Sequence, residues 1–304
     1  MRYRPLGATG VAVSTLTLSV EDNPGYRASE WTALAYAALE NGINSFEIVG
    51  RDPAVIEGLA EAFSSVARRL LFIGMRLGYS AEGRRDFSAT CMAGATQAAI
   101  SRGNLDYLDF VMLDDPAGDE LPPEGLRVLK EMKRDGKVNQ LGVRGRDEAI
   151  EAYILTEAFD VLSIPYNMQS GWRERHRMRM AQDRDMAVIG HDYYPDSLAN
   201  RNALEPIAPP KAGWLAPRKP APPPPIDPYA FLDETQNWTG EEICLAYALT
   251  EPALATVEIH CHQADVVEAL ADVPDRDLPN GLGSRVEMAR FGSTGAAAAA
   301  AGKA

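Results

Sequence analysis

Short apolar runs of strand length recur eight times along this chain: TLTLSV (15–20), NSFEIV (44–49), LLFIGM (70–75), LDFVML (108–113), NQLGV (139–143), VLSIPY (161–166), MAVIGH (186–191) and TVEIHC (256–261). Helix-compatible stretches separate them, several with start and stop signals such as Ser29 and Glu30 at one start and Gly42 or Gly136 just past an end. Short β-rich runs buried on both faces and alternating with helices imply parallel strands joined by right-handed crossovers. Eight such units in 304 residues predict an α/β fold of the (β/α)8 type, a TIM barrel, rather than an open sheet. Ahead of the first unit, RYRPLGATGVAVSTL places a Gly-Ala-Thr-Gly turn between two strand-like pieces, which reads as an N-terminal β-hairpin.

Two segments break the rhythm. Residues 205–228, EPIAPPKAGWLAPRKPAPPPPIDP, are too rich in proline for helix or sheet and are expected to run as polyproline II. They follow the seventh strand, so they belong to the barrel face where loops build active sites, either as a stiff lid or as a proline-rich ligand. The second break is the C-terminal tail, 276–304, with a low-complexity end in STGAAAAAAAGKA. One barrel domain over 1–275, followed by that tail, is the expected organisation.

A formal charge of −13 repels phosphate backbones, so nucleic acid is excluded as a partner. Cys91, Cys244 and Cys261 show no paired spacing, which argues against a disulfide framework and a thiolate metal cage and suits a reducing cytoplasm. No run of about 18 apolar residues predicts membrane insertion. His260 and His262 form an H-x-H pair on presumed strand geometry, but no third ligand is near in sequence, so no metal is expected.

The segment FEIVGRDP puts a carboxylate, Glu47, at a strand end. Its surroundings carry a resemblance. YRPLGATGVAVSTLTL, ALENGINSFE, LDYLDFVMLDDP, EMKRDGKVNQLGV and IPYN resemble, in order, landmarks of the aldo-keto reductase family from about residue 2 to 270. That resemblance implies NAD(P)H-dependent carbonyl reduction by a tetrad of Asp, a Tyr proton donor, Lys and His. Carried over by position, the Asp becomes Glu47, the Lys becomes Arg76 and the His becomes Asp114, while no Tyr stands between Glu47 and Met75.

Carbonyl reduction needs a donor whose pKa is tuned toward the working pH. An ionised Glu47 is a poor donor, and Arg76 stays protonated but can pair a carboxylate. Asp114 adds negative charge where an oxyanion would need stabilising. The expectation is a structural charge cluster of Glu47 and Arg76, shared with Asp114, and no intact catalytic set. A hydroxyl from Tyr26, Tyr79, Tyr193 or Tyr194 is the alternative donor, and Glu47 with Asp114 as a hydrolytic acid and base is a third reading.

For the cofactor, the resemblance places the nicotinamide amide clamp at Arg144, Gly145 and Ser163, and the stacking ring at His191. It aligns Cys261 with the arginine that holds the 2′-phosphate of NADP, so NAD(H) is expected over NADP(H), with a phosphate received near His262. Degenerate members of the family serve as bacterial regulators of cell division and of a signalling kinase. The expected role is therefore a catalytically impaired, NAD(H)-responsive regulator with a protein partner, the alternative being an active reductase with a replaced proton donor. The arginine-rich WRERHRMRMAQDRD is either a solvated outer face or a docking face for an acidic partner.

Overall fold

The computed structural model describes residues 1–201 and 227–301, with side chains described through Phe291. The predicted proline-rich loop therefore lies outside the described residues, apart from Asp227 and Pro228. The N-terminal hairpin pairs β1 (Tyr3–Pro5) with β2 (Ala12–Ser14) in antiparallel register, Arg4 opposite Val13. Eight parallel strands then close a barrel: β3 (Leu16–Val20), β4 (Ser45–Ile48), β5 (Phe72–Leu77), β6 (Leu108–Asp114), β7 (Val138–Arg144), β8 (Val161–Pro165), β9 (Ala187–His191) and β10 (Thr256–His260), with β10 pairing back onto β3.

All eight predicted strands are present. The helices between them form the outer ring: α1 (Ala28–Glu40), α2 (Pro53–Phe63), α3 (Ala89–Arg102), α4 (Pro123–Arg134), α5 (Ala149–Leu155), α6 (Trp172–Gln182), the short α7 (Asp196–Ala199) and α8 (Phe231–Glu234), α9 (Gly240–Leu249) and α10 (Ala264–Asp272). α1 turns Trp31, Leu34, Ala35 and Ala38 inward, the 3- and 4-residue spacing of an amphipathic helix. α2 starts sharply because Asp52 accepts from the Ala54 amide and Pro53 occupies the first turn. Where α1 and α2 cross, a Cβ on Gly58 would lie 2.3 Å from the Ala28 carbonyl oxygen, so only glycine permits that approach.

Strand alternation stacks the barrel interior in layers. At the floor, Leu6 and Val13 of the hairpin close the bottom against Phe72, Phe110, Met112 and Ile189. The Phe72 and Phe110 rings stack at 5.0 Å, and a Cβ on Gly74 would sit 2.1 Å from the Phe110 ring, so glycine at 74 makes room for it. Above the floor is a hydroxyl layer in which Thr17 bonds Ser45 at 2.7 Å and Thr256 at 2.8 Å. The next layer upward carries charge.

The segment expected as a tail does not leave the barrel at 276. α11 (Leu282–Ala301) buries Leu282, Val286 and Ala289, and Arg290 donates to the Met168 carbonyl at 2.7 Å and to the Tyr247 hydroxyl at 2.6 Å. Among the described residues no helix is long and apolar enough to cross a membrane.

Candidate functional site

The charge layer lies one alternation above the hydroxyls, because Ser45 and Thr256 face the lumen and Glu47 and Glu258 follow them by two residues. Arg76 of β5, Arg144 of β7, Ser163 of β8 and His191 of β9 complete it. Arg76 Nη2 pairs with Glu47 Oε2 and also lies 3.2 Å from Glu258 Oε2, while its Nη1 stands 3.9 Å from Glu21. Arg144 Nη1 donates to Glu258 Oε2 at 2.5 Å, and its Nε is 3.5 Å from Asp114 Oδ1. Two guanidinium groups thus clasp two carboxylates that are each 1 % exposed. Ser163 Oγ donates to Glu258 Oε1 at 3.2 Å and stands 2.9 Å from His191 Nδ1. With the hydroxyl hydrogen spent on Glu258, the imidazole Nδ1–H donates to Ser163, and the buried Nε2 has no partner among the described residues.

Burial pushes the Glu47 carboxyl up to about 7; Arg76 opposes the shift and the neighbouring Glu258 carboxylate adds to it. Burial acts on Glu258 in the same sense, but Arg144 and Arg76 together overrule it and hold that carboxyl below its ordinary value. His191 is held well below its ordinary value by burial first and by Arg144 and Arg76 next, so its ring is neutral. The layer therefore holds one firmly ionised carboxylate, one that titrates near neutrality and two fixed cations.

Three expectations change against this geometry. Arg76 is shared between Glu47 and Glu258, not between Glu47 and Asp114; Asp114, at the rim, turns to Arg144 instead. Glu47 is not a simple anion, because its place beneath Arg76 removes it from water. His260 and His262 do not share a face: β10 ends at His260, whose ring lies 3.5 Å from Glu21 and 3.8 Å from Glu258, while the His262 ring packs edge-on toward Trp31 at 5.9 Å. Glu258 escaped the sequence reading, although an acid inside TVEIHC, two residues after a lumen-facing threonine, is the signal that marks it.

Above the layer the barrel mouth opens as a cavity of about 440 Å³ whose wall includes Arg76, Tyr79, Arg85, Asp114, Arg146 and His260. A second cavity of about 1220 Å³ shares Arg76, Tyr79 and Asp114 with it and runs on along α3 past Cys91. Of the four candidate tyrosines, Tyr79 alone lines the mouth cavity: Tyr26 donates to the His262 carbonyl at 3.0 Å, Tyr193 is buried and donates to Glu241 at 2.6 Å, and Tyr194 stands against Gly240. Arg85 Nη1 donates to the Tyr79 oxygen at 3.2 Å and to the Asp114 carbonyl at 2.9 Å, fixing the loop after β5 over the rim.

The residues placed at the nicotinamide end do not fit a clamp as they stand. Ser163 and His191 are fully buried, and the Arg144 guanidinium is committed to Glu258 and Asp114. At the other end Cys261 is buried and neutral, burial raising its thiol to about 12, while His262 is exposed beside the start of α10, whose N-cap Gln263 makes no side-chain capping bond among the described residues.

An eight-stranded parallel barrel with a hairpin-plugged floor carries its polar groups at the C-terminal strand ends, where (β/α)8 barrels build their sites. The chain belongs to the aldo/keto reductase family, whose model matches residues 25–279. Among solved structures it is similar to the holo form of aldo-keto reductase AKR11C1 from Bacillus halodurans, with 19 % identity, 96 % of each chain covered and a TM-score of 0.74, a likeness of fold. A search of curated proteins gave no match.

Proposed function

We propose that this barrel is impaired in carbonyl reduction and acts in the bacterial cytoplasm as a regulatory protein, in cell division or signalling, through a protein partner. The observation that carries the reading is the closed network Glu47–Arg76–Glu258–Arg144 in the layer where a reductase would deliver its proton. Arg76 cannot release a proton, and Glu47, though poised near neutrality, lies beneath it at 1 % exposure. The hydrolytic reading is disfavoured by the geometry, since Glu47 is buried beneath Arg76 and Asp114 at the rim turns to Arg144. Any response to a dinucleotide would rest on the adenosine end near His262, where the absence of a cation at Cys261 favours NAD(H) over NADP(H).

One observation supports the active alternative: Tyr79 lines the mouth with Arg76, and its oxygen already accepts from Arg85, leaving its O–H to donate toward the cavity. Calorimetry of the purified chain with NADH and NADPH, followed by turnover against aldehydes and quinones, separates the readings. NADH binding without turnover, or binding of neither, agrees with the regulatory reading. Steady NAD(P)H consumption with alcohol formation overturns it.

A further inference from the structure

We propose that the groove between α6 and α11 is a docking site for an acidic protein segment that carries an apolar anchor residue. The groove has a volume of about 720 Å³ and lies outside the barrel mouth, with Trp172, Arg175, Met178, Arg179, Tyr229 and Arg290 in its wall. On α6 the positions 172, 175 and 179 fall on one helical stripe, so an exposed indole and the exposed Arg179 stand beside Arg175, whose guanidinium also reaches the Tyr166 and Tyr247 hydroxyls. Trp172 is 70 % exposed and is held by stacking on His176, with ring centres 4.9 Å apart and planes within 7°. Such an indole presents a rigid apolar face at low entropic cost, which suits an anchor contact.

The neighbouring arginines have structural work: on α6, Arg173 stands 3.8 Å from Glu148. Arg177 is buried, donating to Glu151 at 3.0 Å and to the Arg146 carbonyl at 2.7 Å; Arg184, past the helix end, donates to the Met180 carbonyl at 3.0 Å. Arg290 fixes the opposite wall through Met168, Tyr247 and Glu287. Arg179, by contrast, makes no side-chain hydrogen bond or ion pair among the described residues. Among the described residues the carboxylate in the groove wall is Glu251, which is occupied by the Tyr166 hydroxyl at 3.1 Å and the Ala253 amide at 3.1 Å.

A positive, aromatic concavity on a chain of formal charge −13 is complementary to an acidic segment, and the long-range charge of the whole chain then opposes non-specific capture. An anionic bilayer would offer the same charge, but it is flat, whereas a concave groove suits an inserted segment. The proposal does not depend on the chemistry of the mouth, so its failure leaves the reductase assays untouched.

The test uses a fluorescently labelled amphipathic 16-residue peptide with Glu on its polar face and Leu and Phe on its apolar face, titrated with the full chain by anisotropy. Saturable binding is expected, weakened at least about tenfold by Arg175→Glu with Arg179→Glu or by Trp172→Ala, and by replacing the peptide's Glu with Gln. The control Arg102→Glu, an exposed arginine on α3, leaves it unchanged. No saturation below about 1 mM, equal binding by the α6 variants, or capture of phosphatidylglycerol vesicles in preference to the peptide would overturn the proposal.

Discussion

Glu47→Gln tests the physical state of the charge layer directly. In the unfolded chain this carboxyl titrates near its ordinary 4.5, whereas in the folded barrel burial carries it to about 7. Between those values the native state holds the proton more tightly, so the stability that Glu47 contributes is full below pH 4.5 and is lost as pH rises through 7. Integrating that difference gives a loss on the order of 2 to 3 kcal/mol between pH 5 and pH 8, undiminished by solvent because the group is buried. Glutamine keeps the shape and cannot ionise, so it removes this dependence. Urea unfolding of both proteins at half-unit steps from pH 5 to 8 should show the variant gaining on the wild type by that amount as pH rises. A difference that stays flat would mean that folding leaves the carboxyl where it was. A variant that loses ground as pH rises would mean that pairing with Arg76 outweighs burial, and the account of the layer would fail.

Arg144→Met leaves Glu258 with Arg76 as its remaining guanidinium partner and should cost about 3 to 5 kcal/mol in urea unfolding at pH 7, most of it recovered when Glu258→Gln is added. His191, neutral in the barrel, contributes stability that is present above its ordinary value of 6.5 and is lost as pH falls below it; His191→Gln should flatten that acid-side slope, and an unchanged slope would place the titration elsewhere. Tyr79→Phe should leave any NADH consumption with an aldehyde panel at the wild-type level, whereas a loss of more than about 100-fold would identify Tyr79 as the proton donor.

The barrel was readable because its strands are buried on both faces: LDFVML and MAVIGH cannot be surface strands, and their spacing leaves room for one helix each. The site was readable only in part. Glu47, Arg76 and Asp114 were found because the family resemblance carries its tetrad onto those strand positions, but pairing around a closed barrel is set by β10 meeting β3, which a linear sequence does not display. Glu258 was hidden for that reason: it reaches Arg76 and Arg144 across 182 and 114 residues. The alternation Thr256, Glu258, His260 did carry the clue, since three polar side chains on one face of a core strand demand partners in the lumen. The start of α11 was missed for another reason. The Gly/Ala end dominates its composition, although Leu282, Val286 and Ala289 already stand at helical spacing.

On the proposed reading, the layer also explains why one substitution within it would not make it a proton donor. A lysine at position 76 offers a single ammonium where Arg76 Nη2 now meets both Glu47 and Glu258, and it has no second nitrogen for Glu21. Glu258, buried and ionised, would lean wholly on Arg144, and that arginine would then be less able to hold Asp114 at the rim. Removing Glu258 as well leaves Arg144 buried with only the rim carboxylate, so its neighbours must change in turn. The two cations and two buried anions balance only as a set, and a hydroxyl donor placed among them would compete with guanidinium groups for the same carboxylate oxygens. A functional acid has to come from outside the layer, and the mouth wall at Tyr79 is where the geometry leaves room for one.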